Sequence, residues 1–185
     1  MSALRDAGRV VGTGALVKVV GRVRPSVAAF TPFSRTPAVA YFAELARVSV
    51  MPTPDDGLHR REAPQLDVNV LAIERAVTPF YVDDGTGSAI VLAEASDLTI
   101  PFDAVHVDDL AAAAEWATAR IGEIVDPRSI PGLRASEARI APGDAVEVVG
   151  PIHAIETATG YRDNVHIALE IRAVNAGDVS VRLVT

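Results

Sequence analysis

The chain has 185 residues, 49% of them apolar and 22% charged, a net charge of −7 and no cysteine. That length can bury a sizeable core within one domain, and the missing cysteine excludes disulfides, thiol nucleophiles, iron–sulfur clusters and every cysteine-based zinc module. The longest apolar run near the start, residues 10–20, contains two glycines and Lys18 and is too short to span a bilayer, so the expected location is cytoplasmic, at most peripheral to a membrane.

In chain order, residues 1–14 read as a loosely held N-terminus because Gly8, Gly12 and Gly14 oppose regular structure. A strand is expected over 15–24, bending at Gly21, followed by a loop bracketed by Pro25, Pro32 and Pro37. A long strand over 38–50 comes next, then a Pro-rich connection over 51–64 with an Asp55-Asp56-Gly57 turn. Residues 66–74 alternate partly, as a strand with one wet face does. Residues 79–92 read as a hairpin, with Asp83 and Asp84 bonding their own backbone and Gly85 and Gly87 supplying the positive-φ positions of the turn.

The pattern changes at 108–121, an Ala-rich run that reads as a helix. Asp108 or Asp109 caps its start, Gly122 ends it, and Leu110, Ala113, Ala114, Ala117 and Ile121 form its buried stripe beside Trp116. A loop holding Pro127, Pro131 and Gly132 leads to strands at 145–152, 165–174 and 179–184. Strand–Gly–strand segments at both ends, with the acidic-turn hairpin between them, predict a mainly β fold. The expected form is an OB-like, partly open antiparallel barrel with one helix and extra C-terminal strands, built as one domain over 15–185.

Charge is uneven along the chain. Residues 1–64 carry nine Arg or Lys against five Asp or Glu, and the remainder carries eight against nineteen. Such asymmetry either orients the protein against an anionic surface or keeps the strand faces wet. His59, His106, His153 and His166 show no metal-helix spacing. The pairs His106/Asp108 and His153/Glu156 lack a nucleophile and an orienting third group. No catalytic, metal or cofactor residue is assigned, and the chain is expected not to be an enzyme.

The segment Val19-Val20-Gly21-Arg22-Val23 is followed by a Pro–small-residue–Pro loop and long strand from Thr31 to Tyr41, the Asp-Asp-Gly-Thr-Gly hairpin ending at Gly87, and the run from Pro142 to Gly150. This order resembles the GIDE, or "beside a membrane", domain found in membrane-anchored RING ubiquitin ligases and in prokaryotic proteins. The chain departs from that family's pattern in lacking the loop cysteine, with Ala38 near its place, and in lacking the RING and the flanking transmembrane helices. The resemblance therefore implies a non-catalytic binding or scaffolding module, acting near a membrane through a protein partner that carries the anchor, without ligase activity.

The same pattern also resembles OB folds that bind single-stranded nucleic acid, for which Arg22, Arg24, Phe80, Tyr81 and Tyr161 are the candidate contacts. The sequence pI near 5.0 and the 5% aromatic content argue against that alternative; Phe80 also reads as a barrel-core side chain. For a protein partner, the candidate surface joins loop 30–37 with loop 51–64 through Phe30, Phe33, Arg35, Leu58, Arg60 and Arg61, since aromatic plus arginine is the composition of interface hot spots. Phe30 and Phe33 read equally well as plugs of the barrel end.

Overall fold

The computed structural model describes residues 14–27, 29–51, 66–99, 105–107, 109–158, 165–175 and 177–184. In chain order its elements are β1 (Ala15–Pro25), β2 (Ala29–Phe30), β3 (Pro37–Ala38), β4 (Ala40–Val50), β5 (Leu66–Val77), β6 (Phe80–Asp83), β7 (Ser88–Leu92), β8 (Leu98–Thr99), β9 (Val105–Val107), α1 (Leu110–Ile121), β10 (Leu133–Ile140), β11 (Ala145–Ala158), β12 (Val165–Arg172) and β13 (Ser180–Leu183).

Five of these strands close on themselves. β1 pairs with β6, β6 with β7, β7 with β12, β12 with β11, and β11 returns to β1. Every junction is antiparallel except the parallel β7–β12 pair. The expected mainly β, OB-like barrel with one helix is what forms, and β13 is the extra C-terminal strand, laid along β11.

Alternation puts Val19 and Val23 of β1, Phe80 and Val82 of β6, Ala89 and Val91 of β7, and Val146 and Val148 of β11 inside one apolar core. β1 switches partner along its length, from β11 over Ala15 to Arg22 to β6 over Arg22 to Pro25. Gly21 sits at that switch. A Cβ there would lie 2.6 Å from the Asp83 carbonyl oxygen, so only glycine lets the two strands approach so closely.

Two insertions build a second layer. β2 to β5 intervene between β1 and β6, and β8, β9, α1 and β10 intervene between β7 and β11. Together they supply a four-stranded sheet in the order β5-β4-β10-β9. One face of it, with Tyr41, Ala43, Leu45, Ala72 and Ala135, packs on Ala113, Ala114 and Ala117 of α1 to form a separate core.

β4 and β10 belong to both cores, because Ala40 and Ile140 reach the barrel while Tyr41 and Ala135 face the helix. Beyond the helix, β5 bulges opposite Leu45/Ala46 and presents Leu66, Val68 and Val70 half-exposed. α1 begins where expected, with the Asp109 side chain accepting from Ala112 N at 3.0 Å, and ends at Gly122 with φ 73°. Ile121, expected in its buried stripe, is instead 42% exposed, because the chain leaves the sheet at that last turn.

Candidate functional site

The loop between β2 and β3 is held from below by a carboxylate. β2 and β3 pair through Ala29–Ala38 and Phe30–Pro37, and Thr31 N donates to Thr36 O at 3.0 Å to close the turn. Thr31 is fully buried; its Oγ1 lies 2.8 Å from Ser34 Oγ and accepts from Thr36 N at 3.2 Å. Under them lies Glu137 of β10, only 4% exposed. It accepts from Phe33 N at 2.8 Å, from Ser34 N at 3.2 Å and from the Ser34 hydroxyl. Burying a carboxylate is costly, and these three donors offset that cost while fixing the loop backbone.

At the tip of this loop Arg35 takes φ 53°, the one positive φ outside glycine among the described residues. Its side chain is exposed. A left-handed backbone costs an L-residue roughly 1–2 kcal/mol. The loop holds it there because Phe33, Ser34 and Thr36 on either side are already tied down.

The side chains expected to form the contact surface divide. Phe30 is 59% exposed and available. Phe33 is not: it is 6% exposed, and its ring meets Trp116 edge-on at 5.0 Å, so it plugs the helix-side core rather than meeting a partner. Leu58, Arg60 and Arg61 lie outside the described residues, as does their expected junction with the Phe30 loop.

Behind Phe33 a second set of side chains stiffens the layer. Glu74 of β5 accepts from Tyr41 Oη at 2.7 Å and from Trp116 Nε1 at 3.0 Å, and pairs with Arg120. The Arg120 guanidinium also stacks 4.4 Å from the Trp116 ring centre. Burial, then the Glu74 hydrogen bond, push the Tyr41 hydroxyl up to about 12 from its ordinary 10.0.

The barrel wall carries the nucleic-acid candidates. Phe80 is fully buried in the barrel core and unavailable for stacking on a base, which corrects its place among those contacts. Tyr81 lies on the outer face, with Arg24 5.8 Å from its ring centre and 3.6 Å from the Asp83 carboxylate. Arg22 donates to Gly143 O at 2.9 Å. Tyr161 lies outside the described residues.

A cleft of about 580 Å³ runs between β1 and the acidic turn, with Arg22 and Arg24 on one wall and Asp83 and Asp84 on the other. The turn forms as its sequence implies: Asp83 Oδ1 accepts from Gly85 N at 2.8 Å and Asp84 Oδ1 from Thr86 N at 2.9 Å. Gly85 has φ 84°, whereas Gly87 needs no positive φ.

Glu137 and Arg139 are the residues of this region that the sequence does not single out. The only trace of Glu137 is a charged residue in step with Ala135 along an alternating run, a pattern that looks like a wet strand face. No family model matches the chain, and no curated protein or solved structure matches it either.

Proposed function

We propose that this protein is a non-catalytic binding or scaffolding module that recognises a protein partner through loop 31–36, with Phe30 as apolar anchor and Arg35 as polar contact. One observation carries the proposal: a strained, exposed arginine is held in place by a buried glutamate. Nothing in the fold requires arginine at that position, since glycine adopts φ 53° without cost. Strain that local hydrogen bonds over-determine marks recognition sites. The resemblance to the GIDE domain supports the further step that the partner is membrane-anchored.

Pull-down from membrane extracts tests this. Partner capture is expected to fall when Phe30→Ala or Arg35→Gly is introduced, while Arg35→Gly raises stability by up to about 1 kcal/mol through release of backbone strain. An identical captured set with wild type and both variants would refute it.

The alternative, single-stranded nucleic-acid binding, draws support from the OB-like strand order and the Arg24–Tyr81 stack. It is opposed by the burial of Phe80 and by Asp83 and Asp84 across the cleft from its arginines. Titration of a labelled oligonucleotide at low salt distinguishes the two, because phosphate-driven affinity falls steeply as salt is added.

A further inference from the structure

Arg35 has a cationic neighbour. Arg139, exposed on β10, donates to Thr36 Oγ1 at 2.7 Å, so a second guanidinium is fastened to the residue that follows Arg35. Among the described residues neither arginine joins an ion pair, whereas Lys18, Arg24, Arg120, Arg172 and Arg182 are each matched to an acid. The carboxylate beneath them forms no ion pair with either, because Glu137 is buried with its oxygens turned to the amides of Phe33 and Ser34 and to the Ser34 hydroxyl. In a chain with 24 acids and 17 bases, two unmatched arginines, one on the loop and one on the strand bonded to it, form a local positive site against the overall charge. Phe30 and Pro37, paired across β2 and β3, set exposed apolar surface alongside it.

We infer that Arg35 and Arg139 receive an acidic segment of the protein partner, its carboxylates meeting the two guanidiniums while an apolar side chain rests on Phe30. This deepens the reading of the loop as the recognition surface and rests on it. Planar guanidiniums suit carboxylates through paired charge-assisted hydrogen bonds. A nucleic-acid strand fits less well: its phosphates recur along the chain and call for a track of cations, and this site offers two.

The test uses the full chain and fluorescein-labelled hexaglutamate, followed by anisotropy at low salt. Binding is expected to weaken about tenfold in Arg35→Ala/Arg139→Gln, in keeping with the loss of two charge-assisted contacts, and to weaken in the wild type as salt is raised. Glutamine at 139 keeps a donor for Thr36, and an unchanged thermal melt confirms the fold. Arg47→Ala/Arg128→Ala removes two other exposed, unmatched arginines and is expected to leave binding unchanged.

Equal affinity for wild type and the Arg35/Arg139 variant, or an equal loss in the Arg47/Arg128 variant, overturns the inference. So does an oligonucleotide that displaces hexaglutamate at a lower concentration than unlabelled peptide does, which would assign the site to nucleic acid. Failure of the broader reading looks different: partner capture would then be insensitive to Phe30→Ala, whatever the acidic probe does.

Discussion

Removing the Glu137 carboxylate leaves the amides of Phe33 and Ser34 without an acceptor in a site that water reaches poorly. Each unsatisfied donor costs about 1–3 kcal/mol, so Glu137→Ala is expected to lower stability by about 3 kcal/mol in urea denaturation. Glu137→Gln, which keeps one acceptor oxygen, is expected to cost less. A loss within experimental error for the alanine variant would show that the loop does not depend on this residue.

Tyr41 gives a second test at the same scale. Its hydroxyl is held protonated by burial and by Glu74, with a pKa of about 12 against 10.0. Between those values the unfolded chain has released the proton and the folded chain has kept it. The Tyr41 contribution to stability is therefore complete below pH 10 and is lost as pH rises towards 12. Tyr41→Phe should flatten that alkaline decline in pH-dependent denaturation, and an unaltered profile would assign the decline to other groups.

At the scale of elements, Gly21 governs the junction of β1 with β6. Alanine there brings a methyl carbon to 2.6 Å from the Asp83 carbonyl oxygen and 2.8 Å from Val82 Cγ1. Backbone cannot yield as a side-chain tip can, so Gly21→Ala is expected to cost about 1–3 kcal/mol in thermal or urea melts. A neutral result would mean that the strand pair separates readily.

The elements differ in how plainly the sequence announces them. α1 was legible to its caps because Asp109 and Gly122 act on their immediate neighbours. The acidic hairpin was legible for the same reason. β10 was expected to be loop, since Leu133-Arg134-Ala135-Ser136-Glu137-Ala138-Arg139-Ile140 is too polar to look buried. It is a central strand because its glutamate is satisfied by a loop about a hundred residues earlier, and no local pattern encodes such a partner. The candidate site divides in the same way: Phe30 and Arg35 were visible as exposed loop residues, but Glu137 and Arg139 come from β10 and were not. Phe33 and Phe80 each admitted both a buried and a contact reading in the sequence, and the packing on Trp116 and in the barrel assigns both to the interior.

For the whole molecule, the two insertions decide the order of assembly. Arg22 of β1 meets Asp83 of β6 and Ala145 of β11, both distant in sequence, whereas β4 and β5 are consecutive strands. Closing long loops costs entropy before their contacts form, so pairings of high sequence separation come late. The β4–β5 pair is therefore expected to form before β1 closes on β11. Leu45→Ala, in β4, should slow folding, while Val19→Ala, in β1, should mainly hasten unfolding in a chevron analysis. The reverse pattern would place barrel closure first.

On the ribosome this ordering becomes a waiting time. β1 leaves the exit tunnel roughly 120 residues ahead of the strand that completes its ladder, which at about 5–20 residues per second is on the order of 10 s. Throughout that interval Val19 and Val23 have no β11 to cover them. Stalled nascent chains that stop before residue 145 should be cleaved within β1 by added protease, and chains extended past β12 should resist.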